Sequence, residues 1–170
     1  MLYIFVEGYF DELFFNKTYF SDDTNKFIQY SSQKPEKVNA FIKSIKKMPT
    51  CDYLFFGDGD GRSINDKTNV ILSEYSEVER NKVFIVQYEI ESWYYAGVCE
   101  NDCKQLKLNR FEFTTNDITK EGLIAKMQKP SDRQYIMSKM LDYFAEEIAK
   151  TRNSSFKIFA DYMKEPIAAV

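Results

Sequence analysis

Three short apolar runs, Leu2-Tyr3-Ile4-Phe5-Val6, Tyr53-Leu54-Phe55-Phe56 and Val83-Phe84-Ile85-Val86, constrain this chain's fold more than any other feature. None alternates with polar residues, so each predicts a strand buried on both faces. Lys26 to Tyr30 is a weaker strand candidate. Between the runs, helical spacing predicts helices over about Phe10–Tyr19, from Pro35 through Val38, Phe41, Ile42 and Ile45, and over about Asn65–Glu79. Buried strands separated by helices predict an α/β fold with a mainly parallel sheet flanked by helices. The second half reads as a helical part. One helix should run from near Glu89 to Gly97, and one capped by Asp117 or Thr119 should carry Leu123, Ile124 and Met127. A longer one from Pro130 should carry Ile136, Met140, Leu141, Phe144 and Ile148, before a break at Arg152-Asn153-Ser154-Ser155. Without a repeat or linker, the expected organisation is an α/β core over 1–100 and a helical extension over 101–170 packed on the same domain.

Composition removes several chemistries. The 170 residues include no histidine, which excludes Ser-His-Asp and Cys-His catalysis and histidine-ligated metals. Three cysteines, Cys51, Cys99 and Cys103, are too few for a four-ligand zinc site and read as reduced thiols of the cytosol. The net charge of −3 gives no global field to attract a polyanion. No apolar run approaches the ~20 residues of a membrane span, and the first residues lack a basic leader region, so the expectation is a cytoplasmic protein without a membrane partner. Trp93, Tyr94 and Tyr95 are expected in the core rather than against bases, and Lys43, Lys46 and Lys47 read most simply as a solvated helix face, with contact to phosphates as the alternative.

The three strong runs all end in acids: Glu7, then Asp58 and Asp60, then Glu89 and Glu91. Open α/β sheets collect their chemistry at the carboxyl ends of the strands. Asp11 lies one turn into the helix after Glu7, so the two carboxylates could face the same way, or Asp11 could simply complement the helix dipole. Asp58-Gly59-Asp60-Gly61 offers alternating hard oxygen ligands on a loop whose glycines leave room for a phosphate, which suits Mg²⁺. The alternative is a solvated Asp-Gly turn. Glu89 and Glu91 are two residues apart and point in different directions, so only one joins a site; Glu91 is preferred and Glu89 is left as a capping or surface acid. An EF-hand loop would want other residues than Arg62 and Ser63, and no phosphate-binding Gly-x-x-x-x-Gly-Lys motif is present.

This order of acids, Val6-Glu7-Gly8 followed by Phe56-Gly57-Asp58-Gly59-Asp60, resembles the Toprim domain. Asp11 resembles the second acid of the Toprim domains in overcoming-lysogenization nucleases, although glutamate is commoner there. Small stand-alone Toprim-like proteins share segments similar to Glu89-Ile90-Glu91-Ser92-Trp93 and Arg152-Asn153-Ser154-Ser155-Phe156, with Ser92 where alanine is usual. The resemblance implies a Rossmann-like Toprim sheet and a Mg²⁺- or Mn²⁺-dependent phosphodiester hydrolase acting on DNA or RNA, in a phage-defence setting beside an ABC-type ATPase. Glu7, Asp58 and Asp60 would hold one ion, with Asp11 and Glu91 completing a second site or its outer shell. Arg152 and Lys157 are the candidates for positive charge near the metals, and Lys157 is the candidate catalytic cation. Without metal the acids would repel one another. Two rival readings are a non-catalytic module that binds an ATPase, and a haloacid-dehalogenase-like phosphatase. The latter places its Asp-x-Asp loop after the first strand and follows the glycine with threonine, where this chain has Arg62.

Overall fold

Strands form where the apolar runs place them: β1 is Leu2–Val6, β2 Lys26–Gln29, β3 Asp52–Asp58 and β4 Val83–Val86. The computed structural model describes residues 1–164, which fall into two units, Met1–Ile85 and a second from Val86 onward. The sheet is all parallel in the order β2-β1-β3-β4, an α/β, Rossmann-like arrangement. Tyr3 to Val6 pair with Lys26 to Gln29 on one side of β1, and Leu2 to Phe5 pair with Asp52 to Phe55 on the other.

Helices α1 (Tyr9–Thr18), α2 (Pro35–Ile45) and α3 (Ile64–Glu74) belong to the first unit. Alternation along each strand gives the sheet two apolar faces. On one, Phe5, Tyr53, Phe55 and Ile85 cluster with Val38, Ile42 and Ile45 of α2 and Ile71 of α3. On the other, Phe15 of α1 packs on Phe56 with ring centroids 4.0 Å apart, and Phe56 stacks on Phe84. Helix α1 therefore covers the face opposite to α2 and α3. Burying each such side chain contributes about 1.5–3 kcal/mol.

Helix α3 stops at Glu74, short of the expected Glu79, because the chain turns there to bury Tyr75 and Val78 in the same cluster. Its start is fixed by Ser63, whose Oγ accepts the Asp66 N–H at 3.1 Å. Ser63→Ala should cost about 1 kcal/mol of stability, the usual worth of an N-cap, measured by the shift of a urea unfolding midpoint. A loss below ~0.3 kcal/mol would show that water caps this end equally well.

The second unit holds α4 (Glu91–Ala96), α5 (Glu100–Gln105), α6 (Lys120–Ile124), α7 (Arg133–Asp142), α8 (Glu146–Arg152) and α9 (Ser154–Lys164). Thr119 caps α6 as expected, its Oγ1 accepting the Gly122 N–H at 3.1 Å, but the helix ends before Met127. The single long helix expected after Pro130 is instead two. Pro130–Asp132 is a short 3-10 turn, and the chain breaks between α7 and α8 at Phe144-Ala145. The Ala145 N–H donates to the Gly97 carbonyl at 2.9 Å, and the Phe144 ring lies on the bare Gly97 backbone.

Trp93, Tyr94 and Tyr95 are fully buried, as are Phe156 and Phe159. The break between α8 and α9 is one residue, Asn153, with extended backbone. Its Oδ1 accepts the Phe156 N–H at 3.0 Å and the Ser155 hydroxyl at 2.9 Å, while Trp93 Nε1 donates to Ser155 Oγ at 2.9 Å. Trp93 also stacks on Phe159. The Glu-x-Glu-Ser-Trp and Asn-Ser-Ser-Phe segments thus interlock as the architecture of this unit.

Candidate functional site

Strands β1 and β3 are neighbours, yet the helices that follow them leave on opposite faces of the sheet. This divergence is a topological switch point, where open α/β sheets place their ligands. Glu7 leaves β1 there, and Asp58 ends β3 there.

Hydrogen bonds fix the Glu7 carboxylate at this point. Its Oε1 accepts the Asp58 N–H at 3.0 Å and the Tyr30 hydroxyl at 3.1 Å. The same hydroxyl proton is shared with the Phe56 carbonyl, 3.0 Å away. Burial first, and the Glu7 carboxylate second, push the Tyr30 phenol far above its ordinary pKa, so it stays a proton donor. Gly57 leaves room for Ile71 of α3: a Cβ there would stand 2.7 Å from Ile71 Cδ1, with the Tyr30 hydroxyl and Glu7 Oε1 at contact distances of 3.4 and 3.6 Å.

The Asp58–Gly61 loop is the Asp-Gly turn that its sequence allows. Asp60 and Gly61 both adopt positive φ, 51° and 76°, and the Arg62 N–H closes the turn on the Gly59 carbonyl at 2.9 Å. Glycine suits this geometry at Gly61, and aspartate tolerates it at Asp60. Gly8, by contrast, is extended, with φ −154°, and needs no such freedom.

Lys67 completes the cluster. From the first turn of α3 its ammonium reaches back to Asp60 Oδ2 at 2.8 Å and lies 4.0 Å from Glu7 Oε1. Sequence reasoning passed over both Lys67 and Tyr30. The cue for Lys67 was available: helical side chains lean toward the N-terminus, so a lysine one turn past a Ser63 cap hangs over the preceding loop. Lys67 also relieves the repulsion expected of the acids.

The other candidates have different partners. Asp11 is buried, and its Oδ2 accepts the Gly8 N–H at 3.1 Å, which is the helix-start role weighed for it. Glu91 lies in the second unit, buried and ion-paired with Arg133. Glu89 accepts the Lys120 N–H at 2.5 Å at the start of α6, a capping acid. Lys157 pairs with Asp161 at 2.8 Å on an exposed face of α9. Arg152 is buried against main-chain carbonyls of its own unit.

Among the described residues no three His, Cys, Asp or Glu side chains group closely enough to hold a metal ion. The donors at the switch point are nevertheless all hard carboxylate oxygens. Mg²⁺ typically takes one or two carboxylates and completes its shell with water. Glu7, Asp58 and Asp60 are therefore donors of the kind such a cation takes, but they do not form a three-carboxylate cluster. Comparison with protein-family models, with curated proteins and with solved structures gave no match to this chain.

Proposed function

We propose that the chain is a Toprim-like, metal-dependent phosphodiester hydrolase of DNA or RNA, with its site at the β1/β3 switch point. One observation carries the reading: at two adjacent strand ends Glu7 accepts the Asp58 main-chain N–H, and Lys67 stands between the Glu7 and Asp60 carboxylates. Glu7, with Asp58 or Asp60, would hold a single Mg²⁺ or Mn²⁺. When bound, such an ion supplies Lewis acidity toward a phosphodiester oxygen and the positive charge that an acidic chain lacks. The protein's own groups orient and neutralise. The Asp58 N–H and the Tyr30 hydroxyl hold the Glu7 carboxylate in one orientation. Lys67 sets an ammonium beside Asp60, where it can meet a phosphate oxygen as a point charge. With no histidine in the chain, proton transfer falls to carboxylates, lysine or water. An ABC-type ATPase partner in a defence system belongs to the same proposal.

The test combines a thermal shift with a cleavage assay. An ion that binds only the folded state at a hundredfold excess over its Kd adds about 2.7 kcal/mol. For a chain of this length that raises Tm by roughly 5–10 °C. Asp58→Asn/Asp60→Asn should abolish the shift and the cleavage of single- and double-stranded DNA and RNA. Its metal-free Tm should stay within about 3 °C of wild type, because Lys67 already offsets the charge and still has Glu7 4.0 Å away as a partner in the variant. A wild-type shift without cleavage, with the partner ATPase also present, would leave a metal-binding protein and end the hydrolase reading. No shift at all would favour a binding module with structural acids.

A further inference from the structure

An open cavity lies wholly within the second unit, with a volume of about 450 Å³, between the end of α5, the 3-10 turn and α7. That is the size of a small-molecule pocket. Leu106 and Ile136 are its buried lining residues, and Tyr135, 66% exposed, stands at its wall with Tyr143. Lys107, Lys129 and Lys139 line it against one carboxylate, Asp132, so its local charge is opposite in sign to the chain's −3. Lys139 is bonded to Asp142 at 2.9 Å; among the described residues no carboxylate pairs with Lys107 or Lys129.

The end of α5 fixes the backbone from which Lys107 projects. It has φ 58°, in the left-handed region. The Leu108 N–H bonds the Cys103 carbonyl at 2.9 Å and the Lys107 N–H bonds the Lys104 carbonyl at 3.1 Å. These two bonds make the Schellman ending of α5, and Lys107 occupies the position where glycine is the usual residue. A lysine there carries a conformational cost that glycine would remove.

We propose that this cavity binds a nucleoside phosphate, the phosphate on Lys107 and Lys129 and the base stacked on Tyr135. Lysine meets phosphate as a point charge, and a tyrosine face accepts any base. The same chemistry comes from a free mononucleotide or from one nucleotide of a single strand. The proposal uses no residue of the switch-point site and goes beyond the hydrolase reading.

Calorimetric titration of the full chain in EDTA, which holds divalent ions away from the acidic site, tests it independently. The probes are adenosine monophosphate, a single-stranded hexanucleotide, inorganic phosphate and a glutamate-rich peptide. Saturable binding of the first or second is expected, at least about tenfold tighter than phosphate or peptide. Tyr135→Ala should weaken it about tenfold, within the usual worth of base–aromatic stacking. Lys129→Gln and Lys107→Gly should each weaken it about fivefold, and Lys107→Gly should at the same time raise Tm by roughly 2–4 °C. Tighter binding of the hexanucleotide than of the monophosphate assigns the site to strands, and the reverse assigns it to free nucleotide. The proposal is overturned if neither nucleotide probe binds, if phosphate or the peptide binds as well, or if the three variants bind like wild type.

Discussion

Arg152→Met is expected to destabilise the second unit by about 3–5 kcal/mol. The guanidinium makes five contacts of 2.5–3.1 Å to the carbonyls of Tyr95, Ala96, Val98 and Glu112, and Arg152 is only 6% exposed. Two of these carbonyls belong to the last turn of α4, so the cation also stands where a helix dipole favours positive charge. It lies face-on to Phe111, 4.3 Å from the ring centroid. Methionine keeps much of the volume but leaves four carbonyls without these donors, each a cost of about 1–3 kcal/mol if water cannot reach it. Lysine should recover less than half, because one ammonium cannot reproduce a planar fan of donors. Trp93 is the chain's single tryptophan and lies in this unit, so its fluorescence in urea reads the loss directly. A change below ~1 kcal/mol would mean that the carbonyls rehydrate and that the arginine is dispensable to the fold.

Gly97→Ala should cost about 2–3 kcal/mol for one added methyl. The backbone at Gly97 is ordinary helix, φ −81°, so no conformational penalty applies. The cost is steric: a Cβ would stand 2.2, 2.5 and 2.8 Å from three Phe144 ring atoms. The ring cannot simply swing away, because Phe156 packs against it edge-on and the Ala145 N–H is bonded to the Gly97 carbonyl. Overpacking of this kind typically costs 1–3 kcal/mol. A double-mutant cycle isolates the clash: Gly97→Ala/Phe144→Leu should be more stable than the sum of the single changes by at least ~1 kcal/mol. Strict additivity would place the cost elsewhere than in this contact.

The sheet was legible because parallel strands covered on both faces leave contiguous apolar runs, and such runs survive in sequence without partners being known. Glu7 and Asp58 stood out for the same reason, as acids at the ends of recognisable strands, with Asp60 two residues further on the same loop. What sequence hides is the identity of partners. Whether Asp11 holds a metal or a helix start depends on the Gly8 N–H, and whether Glu91 faces a site depends on Arg133, forty-two positions away. The α7/α8 break was invisible because its cause, Gly97, lies far from it in the chain. Lys67 was missed for a nearer reason. A helix start placed loosely at Asn65 hides the side chain that leans back from a start at Ile64.

The position of β1 in the sheet sets the order in which the first unit can fold. Leu2 pairs with Asp52, so the second edge of β1 waits for a segment about fifty residues further along. Pairing with β2 alone gives a two-stranded parallel ribbon, which is too small to be stable by itself. Closing the longer loop costs entropy before any contact repays it, so sheet closure should be a slow step. Until then Leu2–Val6 exposes an apolar edge to other chains, and crowded nascent or refolding molecules would associate through it.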